Sequence, residues 1–290
     1  MSGHKIFNTI IGIIAAITVL ASMYVGLTKP YLARSAGGGG SNNDNSVTQI
    51  KARGYIRIGV YGDLPPYGWV NSKGKRVGFD LRLARKLAKN LAKNLGVKPR
   101  FTQLTGNNRV DALNSNKVDL VLANFTETPE RAKVVDFAHP YMKVSTGVVS
   151  PKKAPITSEK QLRGKNLILL KGSTAENYFA NRPGIKLLRF DSETQQFNAM
   201  KNKRGAALAD DNSYLYAWIR KNPQYVVGIR SIGPHQFIAP AVKKGNKSLL
   251  KWTNQQIDQL TKTGFFHEDY RIELKPYFGK GIIPSDILIK

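Results

Sequence analysis

YIRIGVY at Tyr55–Tyr61, DLRLARKLAKNLAKNL at residues 80–95 and VDLVLANF at residues 118–125 are the segments whose reading decides the fold. The first and third are short, apolar and rich in β-branched residues, bounded by turn-forming neighbours, so they read as strands. In the second, Leu87, Leu91 and Leu95 recur every four residues and share one helical face, and Gly96 is placed to end the helix. Strand, helix and strand in that order predict an α/β domain.

Working outward, a second α/β block opens after Pro151 with the strand NLILL from Asn166, a turn at residues 171–174 and a helix starting near Ala175. Beyond it, FIAPAVKKG from Phe237 reads as a short strand with a glycine-ended turn. LLKWTNQQIDQLTKTG is helical and ends at Gly264. No period of 20 to 50 residues marks a solenoid.

The chain has 290 residues, enough for one or two well-cored domains at 41% hydrophobic content. Its 45 Lys and Arg against 19 Asp and Glu give a formal charge of +26, so the surface will attract polyanions. The basic residues are spread from Lys51 to Lys290 without a long block, and no zinc-finger, RNP-like or basic-zipper pattern appears. Nucleic acid is therefore not the expected partner; anionic cell-wall polymers fit better. The absence of cysteine removes disulfides, thiolate metal sites, a cysteine nucleophile and a lipidated N-terminal Cys.

Upstream of the first strand, residues 10–27 read IIGIIAAITVLASMYVGL without a charge, a run that as a helix would extend about 27 Å. That length favours an uncleaved membrane anchor over a secretory signal, although the small residues around Ala33 to Ala36 offer a peptidase site. GGGGSNNDNS, residues 37–46, follows as a flexible tether.

Six ordered stretches carry a resemblance: IKARGYIRIGVYGDLPPYGW, GKRVGFDLRLARKLA, KVDLVLANFTETPERAKVVDFAHPY, LILLKGSTAENYF, AALADDNSYLYAW and FIAPAVKKGNKSLL. Each is weak alone, and their joint order is specific. The chain resembles the polar amino-acid family of bacterial extracellular solute-binding proteins, the receptors of ABC importers. Within that family it looks closest to the cysteine and cystine binders, including strongly basic surface-located members of lactobacilli.

The resemblance implies an α/β, two-lobe periplasmic-binding-protein-like fold with two crossover hinge strands. Residues 47–146 and 238–290 would form lobe 1 and residues 147–237 lobe 2, with residues 1–36 as the anchor or signal helix. The hinges would lie near residues 147–150 and 236–239, and a free polar amino acid, cystine or cysteine favoured, would be trapped by hinge closure. The expected partners are the amino acid and a permease, with the membrane reached through the N-terminal helix. The protein would be an extracytoplasmic monomer with no cofactor or metal.

The resemblance also assigns ligand-binding residues. Arg131 of TPER would clamp the ligand carboxylate bidentately, with Thr126 adding a hydroxyl. Ser173 and Thr174, just before a helix, would offer backbone N–H groups, although either residue by itself reads as a plain N-cap. Asp211 would accept the ligand ammonium, with Asp210 its neighbouring competitor and the backbone carbonyl of Asn124 a second acceptor. Tyr61, Leu64 and Tyr67 would form an aromatic and apolar wall, unless they belong to the core. Asn107, Asn108 and Arg109 of TGNNRV would read a polar side chain.

Two other classes compete. An enzyme is disfavoured because no GxSxG, HExxH or P-loop string occurs and His4, His139, His235 and His267 lack ligand spacing. A surface adhesin that grips anionic wall polymers, collagen or mucin through its basic surface remains the alternative function.

Overall fold

The computed structural model describes residues 46–278 and 282–289. The expected anchor or signal segment, residues 1–36, lies outside them, as does all of the linker except Ser46. Among the described residues no helix is long and apolar enough to cross a membrane.

The described chain begins with α1 (Val47–Arg53) and β1 (Tyr55–Tyr61). A small antiparallel meander follows, β2 (Asp63–Leu64), β3 (Gly68–Val70) and β4 (Arg76–Val77). Then come α2 (Phe79–Leu95), β5 (Lys98–Leu104), α3 (Arg109–Asn114), β6 (Leu120–Leu122), α4 (Pro129–Ala132) and β7 (Val135–Phe137). Two long strands, β8 (Met142–Pro151) and β12 (Tyr225–Ile238), bracket β9 (Asn166–Leu170), α5 (Thr174–Ala180), β10 (Lys186–Phe190), α6 (Glu193–Lys201), β11 (Ala207–Asp211) and α7 (Asn212–Lys221). The chain closes with β13 (Ala241–Lys243), α8 (Lys247–Lys262), α9 (Phe265–Asp269), α10 (Lys275–Phe278) and α11 (Pro284–Ile287).

These strands make two five-stranded sheets, ordered β5-β1-β6-β13-β7 and β10-β9-β11-β8-β12. The α/β two-lobe fold expected from the sequence is present. In the first sheet β1 runs parallel to β5 and β6, and β13 is inserted antiparallel between β6 and β7. In the second, β9 runs parallel to β10 and β11. Central parallel strands are covered on both faces and read as continuous apolar runs. Accordingly all of β6 is buried, as are Leu167 to Leu170 of β9 and all of β11.

Helix α2 shows why the first lobe holds together. Leu83, Ala84, Leu87, Ala88 and Leu91 are buried while Arg85, Lys86, Lys89 and Lys93 face solvent. Each leucine fully withdrawn from water contributes on the order of 1.5–3 kcal/mol. Gly96 stops the helix in the left-handed region at φ 70°, its N–H bonded to the Ala92 carbonyl.

The two lobes are joined by β8 and β12, which pair antiparallel from Met142 with Ile238 to Pro151 with Tyr225, with register shifts along the way. Gly147 lies opposite Asp210 of β11, so residues 147–150 are strand residues of the second sheet. The end of β12 is tied to the first lobe by a bridge between Thr126 and Ile238.

Candidate functional site

The first lobe contributes the ends of its strands. β1 ends at Tyr61 and β6 at Leu122, and the chain beyond β6 passes through Asn124 with φ of 41°. That sparsely populated backbone is held by Asp80 in the first turn of α2. Its Oδ2 accepts the Asn124 N–H at 2.7 Å and its Oδ1 accepts the Tyr141 hydroxyl at 2.7 Å. Burial pushes the Asp80 carboxyl up to about 6, against the pull of those two bonds. The buried carboxylate thus aims the polar groups that follow β6.

Two guanidinium groups flank Phe125, that of Arg109 at 4.7 Å and that of Arg131 at 4.8 Å from the ring centroid. Arg131 sits on α4, whose N-cap Thr128 accepts the Arg131 N–H. Its Nη1 donates to the Thr126 carbonyl and its Nη2 crosses to the Gly172 carbonyl of the second lobe at 2.7 Å. Burial, with the like charge of Arg109, brings its pKa down to about 9, so it stays a cation at neutral pH. Arg109 donates to the carbonyls of Gly106, Ala123 and Asn124 and, across the cleft, to Gly172.

The second lobe supplies the loop after β9 and the end of β11. Ser173 caps α5 by accepting the Glu176 N–H at 3.0 Å. Helix α5 begins at Thr174, one residue before the expected Ala175. Asp211 ends β11, and its Oδ2 accepts Asn124 Nδ2 at 2.6 Å, a further bond between the lobes. Burial raises the Asp211 pKa, opposed by the Asn124 bond and the charges of Arg109 and Arg131. Asp210, whose Oδ1 accepts the Asp211 N–H, is pushed up to about 7 by burial and by the charge of Asp211.

These groups line a narrow, partly open space between the lobes with a cavity volume of about 10 Å³, room for roughly one water. Its walls are Tyr61, Arg109, Asn124, Thr126 and Arg131 from the first lobe and Leu170, Ser173, Thr174, Glu193, Asp210 and Asp211 from the second. A larger hollow lies behind the long strands, around Lys143, Arg220, Arg230 and His235. It lacks buried charges of both signs, and the inter-lobe cavity has them.

Comparison with known proteins now bears on this cleft. The family of bacterial extracellular solute-binding proteins, family 3, matches residues 56–273. The chain belongs to that family. It is 29% identical to the ABC transporter glutamine-binding protein of Bacillus subtilis, over 84% of this chain and 92% of that one. Among solved structures, a solute receptor for L-cysteine of Neisseria gonorrhoeae is 48% identical with a TM-score of 0.80, covering 84% of this chain and all of the other (100%). A cysteine-binding protein of Campylobacter jejuni is 46% identical with a TM-score of 0.80, covering 84% and 98%.

In this solute-binding protein eight of the residues singled out from sequence line one cavity: Tyr61, Arg109, Asn124, Thr126, Arg131, Ser173, Thr174 and Asp211. Leu64, Tyr67, Asn107 and Asn108 do not line it. Leu64 and Tyr67 are buried in the core of the first lobe, and the Tyr67 hydroxyl donates to Ser213 Oγ at 2.7 Å. Asn107 and Asn108 spend their side-chain oxygens on Thr105, accepting its hydroxyl and its N–H. Arg109 reaches the cavity wall with donors on four backbone carbonyls, where Arg131 gives donors to two. Leu170 and Glu193 were missed from sequence. Glu193 opens α6 after the capping residue Ser192, where a glutamate ordinarily faces solvent; here it is 2% exposed.

Proposed function

We propose that the cleft receives a free L-amino acid and that the protein delivers it to the permease of an ABC importer, with cysteine or cystine the favoured ligand. Arg131 takes the carboxylate, assisted by Thr126 and the N–H of Thr174, and Asp211 takes the ammonium. Asn124 adds an acceptor through its buried Oδ1, which has no partner among the described residues, in place of the expected backbone carbonyl, which accepts from Arg109 Nη1. The observation that carries the reading is that Arg131 and Asp211, opposite in charge and rooted in different lobes, wall the same cleft. A zwitterion satisfies both only when the lobes are together, so capture and closure are coupled. The relatives that are solute receptors for cysteine support the choice of ligand.

A thermal-shift screen of the common amino acids and cystine, followed by calorimetry on Arg131→Ala and Asp211→Ala, tests this. Removing one partner of a buried charge pair costs about 3–5 kcal/mol, about 150- to 5,000-fold in affinity. Wild-type affinity in either variant would refute the assignment. Recovery of a chemically altered ligand would replace the receptor by an enzyme. The apolar run at residues 10–27 is proposed to keep the protein at the membrane; an intact mass from native membranes that begins near Ser35 to Gly37 would refute the tether.

A further inference from the structure

The two ends of a bound amino acid account for Arg131, Thr126, Thr174, Asn124 and Asp211, which leaves one part of the cavity wall without a task. That part is Glu193, with Leu170 and Tyr61 beside it. Glu193 is held, not loose. Gln196, one turn along α6, donates its Nε2 to both Glu193 Oε2 and Asp210 Oδ2, and Asp210 Oδ1 in turn accepts the Asp211 N–H at 2.7 Å. The carboxyl is therefore fixed relative to the ammonium acceptor by a short chain of bonds.

Its second oxygen is the informative atom. No hydrogen bond among the described residues reaches Glu193 Oε1, and unlike Asn124 Oδ1 it is not among the fully buried unpaired atoms, so it stays accessible from the cavity. A carboxyl oxygen that faces a cavity with no protein donor on it is free to accept one from a ligand. The nearby cation supplies none: the donors of Arg109 go to the carbonyls of Gly106, Ala123, Asn124 and Gly172. Asp210 and Asp211 line the same space and disfavour an acidic side chain there, and the narrowness of the space between the lobes favours a short one.

We propose that Glu193 is the specificity-determining residue of this cleft, its carboxyl receiving a thiol or hydroxyl donor on a short side chain of the bound amino acid. This rests on the amino-acid-receptor reading above. The role expected for Asn107 to Arg109 thereby passes to the opposite lobe.

The test is calorimetry of the full chain in mild detergent with L-cysteine, L-serine and L-alanine, which share a backbone and differ in the donor. The wild type should bind cysteine or serine about tenfold or more tighter than alanine. Glu193→Ala and Glu193→Met should reduce that ratio to about threefold or less, with alanine affinity changed by no more than about threefold. Met matches the length of Glu, and thermal unfolding checks that each variant is folded. A ratio kept in the folded variants overturns the proposal, as does a wild type that prefers alanine or an acidic amino acid; neither touches the receptor reading. A wild type that binds no L-amino acid overturns both.

Discussion

Replacing Gly106 with alanine should weaken ligand binding while leaving the free protein as stable as before. Gly106 and Gly172 meet across the mouth of the cleft. A Cβ on Gly106 would lie 2.7 Å from Leu170 Cδ2 and 2.9 Å from the Lys171 carbonyl oxygen. The leucine side chain can turn away, but the carbonyl can retreat only if the rim of the second lobe moves by about 0.5 Å to reach ordinary contact. Gly106 is not in the left-handed region, so alanine adopts its backbone freely, and the strain exists only where the rims touch. Overpacking of this kind costs about 1–3 kcal/mol, or roughly 5- to 150-fold in Kd. Because two lobes on a hinge can part, the cost falls on closure and hence on affinity. Calorimetry with the best ligand and thermal unfolding without it read the two quantities separately. Gly172→Ala is the contrast: at φ 71° it is strained in the lobe itself, so it should lose stability as well as affinity. Wild-type affinity in Gly106→Ala would refute the reasoning, and so would a loss of stability as large as that of Gly172→Ala.

Tyr67→Phe deletes the 2.7 Å bond from the first lobe to Ser213 of the second, and calorimetry should register about 3- to 10-fold weaker ligand binding. Arg109→Ala strips the shared donor from four carbonyls, so it should lower the melting temperature, by an amount equivalent to about 2–4 kcal/mol, with little change in the ranking of ligands. Asp210, held up to about 7, keeps a proton in the folded protein that the unfolded chain loses near pH 4. Its stabilisation is therefore full in acid and fades as pH rises to about 7, and Asp210→Asn should flatten that part of the stability profile in pH-dependent unfolding.

The α/β order was legible because buried parallel strands must be apolar along their whole length, as LVL at β6 and LILL in β9 are. The charged ends of the site were legible for a different reason: Arg131 and Asp211 lie in ordered motifs, and resemblance placed them where periodicity could not. The side-chain end was misjudged. TGNNRV looked like a polar reader, but asparagines beside a turn bond their near neighbours first: Asn108 accepts the Thr105 N–H and Asn107 the Thr105 hydroxyl. Glu193 was invisible because its local context is an ordinary helix start. Its inward direction depends on α6 facing β11 and on Gln196 reaching two carboxyls, and neither is encoded within a few residues.

The placement of β13 has a consequence for biogenesis. Every strand of the second sheet lies between Met142 and Ile238, so that lobe is a contiguous insertion that can fold as soon as it has been synthesised. The first sheet cannot, because its β6 and β7 are joined only through Ala241–Lys243. Until that segment emerges, β6 presents an unpaired edge and β7 has no strand partner, although β1 already has β5 and β6 on its two sides. The lobe made first in sequence is thus finished last, and a nascent chain stalled before Ala241 would display a folded second lobe on an unfinished first.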